Sequence, residues 1–236
     1  MNSNSYESQP IKALELLSAL TIGNATIDDL IVELRNKKLN FRYSELQTKN
    51  SPEIVSHIVQ RVPQIPFFLN GKMYNPEDIT YFNGQELHFV LSTSGDYMLA
   101  VDNRGLFKIW LRLAFNELFE CNNLQSELPE LRPSLFPDML DPLTFTPKTY
   151  FYEHIDYNGN HLSLSPNRGY KNLTNVRMSI FEDWNDKISS FQMNNTKVTT
   201  LYEHINWKGQ TLTMFGSVSN LRIYGWNDRA SSIATW

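Results

Sequence analysis

Two short runs near the end of the chain hold hard oxygen donors at matched spacing: Asn185-Asp186-Lys187-Ile188-Ser189-Ser190 and Asn227-Asp228-Arg229-Ala230-Ser231-Ser232. Each offers a side-chain amide, a carboxylate, two hydroxyls and the carbonyls of a short loop. That set suits calcium, which takes six to eight oxygens and needs neither thiolate nor imidazole. The competing reading is a pair of plain turns, with Asn-Asp and Ser-Ser capping backbone groups. Affinity in such sites grows with the number of charged ligands, and each loop has one carboxylate followed directly by a cation, Lys187 or Arg229. The expected dissociation constant is therefore about 10⁻⁵ to 10⁻³ M.

The loops close a longer repeat. Tyr152-Glu-His-Ile-Asp-Tyr-Asn-Gly159 recurs as Tyr202-Glu-His-Ile-Asn-Trp-Lys-Gly209, and an alternating strand follows each glycine, His161–Leu164 and Thr211–Met214. An aromatic placed across a tight hairpin from a glycine with positive φ is expected to cover it, Tyr152 over Gly159 and Tyr202 over Gly209. The interval from Tyr152 to Asn185 is 33 residues and from Tyr202 to Asn227 is 25, so the first copy carries eight extra residues. They are expected near Pro166–Ser179. Two such units bury their apolar faces against each other as a sandwich.

With both elements present twice and in register, residues 148–236 resemble a βγ-crystallin domain of the calcium-binding, microbial kind. The resemblance implies an all-β sandwich of two Greek-key motifs with two adjacent calcium sites. It implies as ligands the carboxylates of Asp186 and Asp228, the hydroxyls of Ser189 and Ser231, and carbonyls near Asn185, Asn227, Glu153 and Glu203. How these donors divide between the two ions stays open.

The elements before the repeat are of another kind. Thr26 precedes an i, i+3, i+4, i+7 stripe (Ile27, Leu30, Ile31, Leu34), with Asp29 placed for a reciprocal cap. Ser51-Pro52 signals a further helix through Val59. From Ile65 the pattern turns to β: Phe67–Leu69, a turn at Asn70-Gly71, Thr80–Phe82, a turn at Asn83-Gly84, then Leu87–Leu91 and Tyr97–Val101. Phe107, Trp110, Leu111, Ala114 and Leu118 return at helical spacing. Residues 1–125 thus read as an α+β domain. Pro129, Pro133, Pro137, Pro142 and Pro147 make 126–147 a connector, and 148–236 is the Greek-key domain. Charge shifts there too, from 12 Lys/Arg against 18 Asp/Glu in 1–147 to 9 against 7 beyond. Residues 1–147 show no recognised family pattern.

Composition narrows the function. The 236 residues carry a net charge of −4, which suggests neither a nucleic-acid partner nor an anionic membrane surface. One cysteine, Cys121, rules out an intrachain disulfide scaffold or thiolate cluster. Met1–Pro10 is polar and no segment has membrane-spanning length, so a soluble cytoplasmic protein is expected, with unconventional export left open. His154 and His204 follow from the repeat without a transition metal. His57, His88 and Cys121 lack any catalytic signature, and Gly95-Asp96 and Arg104-Gly105 read as hairpin turns. The expected protein is a non-enzymatic calcium binder, with the N-terminal domain as a module for a protein partner. Two alternatives remain, a structural or stress protein without a specific partner and an effector enzyme with its site in 1–147.

Overall fold

Two of the helices expected in the first part, over Ile27–Leu34 and Phe107–Leu118, are present. The chain is described by a computed structural model over residues 12–46, 58–119 and 147–236. Helix α1 spans Lys12–Ile22, α2 Ile27–Asn36, α3 Tyr43–Leu46 and α4 Arg104–Phe119. At the start of α2 the Asp29 carboxylate accepts from the Thr26 amide at 2.7 Å, one arm of the expected cap. The helix expected from Ser51-Pro52 falls mainly outside the described residues, and Ile58 and Val59 at its end belong to no helix. Cys121, and the connector up to residue 146, also lie outside them.

Two local readings need correction. The strand expected at Thr80–Phe82 is the end of a 3₁₀ helix, Pro76–Phe82. Asn75 and Asp78 form a capping box there with Pro76 at the first helical position, and this start signal outweighs the β-propensity of Thr80 and Tyr81. Arg104-Gly105 is the first turn of α4, not a hairpin turn. Asn103 caps it by accepting from the Leu106 amide at 2.9 Å. Gly105 has no room for a side chain, since a Cβ there would sit 1.8 Å from the Glu45 carbonyl oxygen of α3.

The strands are β1 Phe67–Leu69, β2 Lys72–Tyr74, β3 His88–Leu91, β4 Met98–Val101, β5 Lys148–Tyr152, β6 His161–Leu164, β7 Arg168–Tyr170, β8 Ser190–Asn194, β9 Thr199–His204, β10 Lys208–Met214 and β11 Ser232–Thr235. Eight of them form one sheet in the order β2-β1-β4-β3-β10-β9-β11-β7, and three form a second, β6-β5-β8. The large sheet runs across both halves of the chain. Its junction is the parallel pairing of β3 with β10, His88 opposite Thr211 and Val90 opposite Thr213.

Alternation along the strands makes two cores. Phe67 and Phe89 join Phe151, Phe191, Trp184, Trp226, Leu201 and Leu212 between the sheets. On the opposite face, Val90, Leu99, Tyr202 and Trp236 pack with Leu17, Leu30 and Trp110 of the helices. Trp110 is fully buried and donates its indole N–H to the Ala13 carbonyl at 2.6 Å, tying α4 to α1. Truncating such a side chain costs about 3–5 kcal/mol. The N-terminal half therefore covers β9, β10 and β11 of the second repeat. Among the described residues, no helix is long and apolar enough to cross a membrane.

Candidate metal centre

Each donor loop hangs between a buried tryptophan and a strand. Trp184 and Trp226, both 1% exposed, anchor the loop starts, and Ile188 and Ala230 bury the middles. Asp186 and Asp228 take left-handed backbone angles, φ 54° and 51°, a conformation short polar side chains tolerate best. The two loops then cross reciprocally. The Asp186 amide donates to the Ala230 carbonyl at 3.0 Å, and the Asp228 amide donates to the Ile188 carbonyl at 3.1 Å.

The side chains cross in the same sense. Ser189 donates its hydroxyl to the Asp228 carboxylate at 3.1 Å, and Asp186 accepts from Ser231. Each carboxylate is thus paired with the other repeat's hydroxyl. The second serine of each pair has a different task. Ser190 donates to the His154 carbonyl and Ser232 to the His204 carbonyl, both at 2.6 Å, which locks the loop against the hairpin of its own repeat. Ser189 and Ser231 are held by their amides, which donate to Tyr152 and Tyr202 carbonyls at 2.9 Å.

An open cleft of about 470 Å³ lies at the first crossing, lined among others by Glu153, Asp186, Lys187, Ser189, Arg222 and Asp228. Partial burial pushes the Asp186 carboxyl above the usual carboxylate range, against the pull of Arg61 and of its hydrogen bonds to Asn185 and Ser231. Asn185 and Asn227 each donate an amide hydrogen to the aspartate that follows. Among the described residues, the Asn227 side-chain oxygen is buried without a donor. The glutamate side chains are engaged elsewhere. Glu153 accepts from the Asn160 amide group at 2.9 Å, and Glu203 holds Arg229 at 2.9 and 3.1 Å. Carbonyls, hydroxyls and two carboxylates remain, a hard-oxygen set that fits calcium. Among the described residues no three His, Cys, Asp or Glu side chains are grouped to hold a metal ion.

The aromatic corner differs from expectation. The rings over the glycines are those of His154 and His204: a Cβ on Gly159 would lie 2.9 Å from His154 Cδ2, and one on Gly209 2.7 Å from His204 Cδ2. Register is the reason. Tyr152 pairs with His161 and Tyr202 with Thr211, two residues beyond the glycines, so the histidines two residues further on meet the hairpin tips. Tyr152 instead packs near Tyr157 and His161, and Tyr202 is buried under the helical layer. The positive φ of both glycines is as expected, 82° and 74°.

Most of the extra residues of the first repeat fall at the late end of the expected stretch Pro166–Ser179 and just beyond it. Leu173 precedes Trp184 by 11 positions and Leu221 precedes Trp226 by five, so six of the eight lie between Leu173 and Trp184. They form a loop closed by bridging of Arg177 with Asp183. Its tip exposes Ile180 and Phe181, at 86% and 91%. Sequence reading also missed Arg61, whose guanidinium donates to the carbonyls of Asn227 at 2.6 Å and Asp228 at 3.2 Å. Nothing local marks it, since 166 residues separate it from Asn227.

The model of peptidase inhibitor family I36 matches residues 148–213. Solved βγ-crystallin structures cover the C-terminal part of the chain and leave the N-terminal part unmatched. One from an archaeon is 22% identical, with 39% of this chain and 99% of that chain covered and a TM-score of 0.31. A domain from Clostridium beijerinckii is 25% identical, covering 37% and 95%, with a TM-score of 0.32. One from Ciona intestinalis is 18% identical, covering 38% and 99%, with a TM-score of 0.30. No curated protein sequence matches the chain.

Proposed function

We propose that this chain is a non-catalytic calcium-binding protein in which calcium at the crossed loops stabilises the C-terminal Greek-key sandwich. The observation that carries the reading is the crossing itself. Ser189 faces Asp228 and Asp186 faces Ser231, so an ion taken between them draws on both repeats at once. Such an ion ties two loops that are 39 residues apart, and by binding only the folded chain it raises stability by mass action. The ligands are the carboxylates and first serines, with loop carbonyls of Asn185, Asn227, Glu153 and Glu203 completing the set. A non-catalytic role is supported by the burial of the N-terminal titratable pair. Glu86 and His88 have side chains 0% and 2% exposed and lie 3.4 Å apart in the core, beyond the reach of a substrate. Calorimetric titration of the full chain with calcium tests the reading. Binding at about 10⁻⁵ to 10⁻³ M supports it, and the absence of heat and of any thermal shift overturns it.

A second reading concerns the partner. The matched family model describes peptidase inhibitors, and the loop tip at Ile180-Phe181 presents two large apolar side chains above a base closed by bridging of Arg177 with Asp183. Ser179 caps that base by accepting from the Phe181 and Glu182 amides at 3.3 and 3.1 Å. In this reading the tip enters the cleft of a peptidase while calcium holds the sandwich beneath it. Loss of peptidase inhibition in Ile180→Ser with Phe181→Ser, with unchanged melting temperature, is the expected result; inhibition retained by that variant counts against it.

A further inference from the structure

We propose that Arg61 is a built-in cation at the second loop crossing, so that the chain takes up one calcium ion although its repeat offers donors for two. The proposal rests on the calcium reading above. The repeats supply matched donors: Asp186 and Asp228, Ser189 and Ser231, and the carbonyls of Asn185 and Asn227. Their surroundings differ. At the first crossing, Ser189 and Asp228 line the open cleft, which the Asp186 carboxylate also borders, and Lys187, which follows the first aspartate, turns to Glu182 at 3.4 Å with both side chains well exposed.

At the second crossing, positive charge is already seated. One guanidinium nitrogen of Arg61 donates to two successive carbonyls of the loop, Asn227 and Asp228. The same charge acts on Asp186, the carboxylate paired with Ser231. Arg229, at the position of Lys187, is 4% exposed; it lies over the Trp226 ring at 4.8 Å and clamps the Glu203 carboxylate. A planar guanidinium satisfies carbonyl and carboxylate oxygens as a small cation does, and stays charged at any physiological pH. A divalent ion entering here meets two fixed positive charges and carbonyls that are already hydrogen-bonded.

The backbone around Arg61 is held in place, which keeps its exposed side chain within reach of the second loop. The Gln60 amide donates to Asn83 at 2.8 Å, and its side chain donates to the Phe82 and Gln85 carbonyls at 3.2 and 2.7 Å. Three residues after Arg61, the Gln64 amide donates to the Ile223 carbonyl at 2.7 Å, next to the second loop. The Arg61 carbonyl packs on Gly225 so closely that a Cβ there would come within 2.8 Å of it. The N-terminal half thus reaches the second repeat and places a charge where the first repeat leaves room.

Equilibrium dialysis of the full chain against radioactive calcium counts the ions. The expected result is one equivalent for the native chain, two for Arg61→Gln and one for Arg61→Lys, which keeps the charge. Near-ultraviolet circular dichroism checks that the variants keep the native packing. Two equivalents in the native chain, or one in a folded Arg61→Gln, overturn the proposal while leaving the calcium reading intact. None in either protein overturns the calcium reading itself.

Discussion

Asp228→Asn separates the role of the carboxylate from the role of the loop. Asparagine tolerates the left-handed backbone at φ 51° and keeps an oxygen for the Ser189 hydroxyl, so the calcium-free fold should change by no more than about 1 kcal/mol. What the substitution removes is the carboxylate of the first crossing, one of two at the crossed loops. With a dissociation constant near 10⁻⁴ M, calcium at about 10 mM is a hundredfold excess and stabilises the native chain by about 2.7 kcal/mol. For a chain of this size that is a rise of about 5–11 °C in Tm. A unit charge about 4 Å from a divalent ion is worth about 2–8 kcal/mol between bulk water and a protein surface, so loss of the carboxylate should weaken binding at least about tenfold. The variant then gains about 1.4 kcal/mol and 3–6 °C at most under the same conditions. Differential scanning calorimetry with and without calcium reads both numbers. An unchanged calcium shift in Asp228→Asn would refute the assignment of its carboxylate. A large fall in the calcium-free Tm would show that Asp228 is structural.

Other expectations concern the shared core. Burial holds His88 neutral, with its pKa lowered to about 3 from 6.5 and the charges of Arg104 and Lys108 acting in the same direction. Burial pushes Glu86 the opposite way, above the usual carboxylate range. Below pH 6.5 the unfolded chain takes up a proton at His88 that the native chain refuses, so that residue lowers stability as pH falls towards 3. Glu86 raises stability as pH falls towards 4.5, because the native chain holds its proton more tightly. In Glu86→Gln, stability should therefore drop by about 1.4 kcal/mol per pH unit between 6 and 4.5; in His88→Gln the slope should shift towards the opposite sign. Denaturant melts across that range decide it, and equal slopes in the two variants would contradict the assignment. Gly105→Ala should cost about 1–3 kcal/mol, since its methyl group meets the Glu45 carbonyl and α3 must move, and urea midpoints measure this.

The repeat was legible because its donors are contiguous. Asn-Asp-x-x-Ser-Ser appears twice in register, and loop chemistry of that kind survives any packing of its surroundings. The α2 cap and the apolar stripe of α4 were legible for the same reason, since the residues that make them lie within one or two turns. What escaped the sequence was set by register and by distance. Tyr152 and Tyr202 share a face with the histidines that follow by two, and only the pairing of β5 with β6 and β9 with β10 decides which ring meets the glycine. The parallel junction of β3 with β10 is equally silent, because Leu87–Leu91 reads as any buried strand. A sheet shared across the expected boundary gives the N-terminal half its hold on the second repeat, and Arg61 follows from that hold.

The most direct test of a calcium centre at the crossed loops is residue-by-residue. An amide ¹H–¹⁵N titration of the full chain with calcium up to about 10 mM covers the expected affinity range. The expected shifts are concentrated on Glu153, residues 185–190 and residues 227–229, with α1, α2 and α4 nearly silent, and no comparable pattern with magnesium. Amides of Ser189 and Asp228 that stay unmoved at saturation, or shifts centred elsewhere in the molecule, would contradict a calcium centre there.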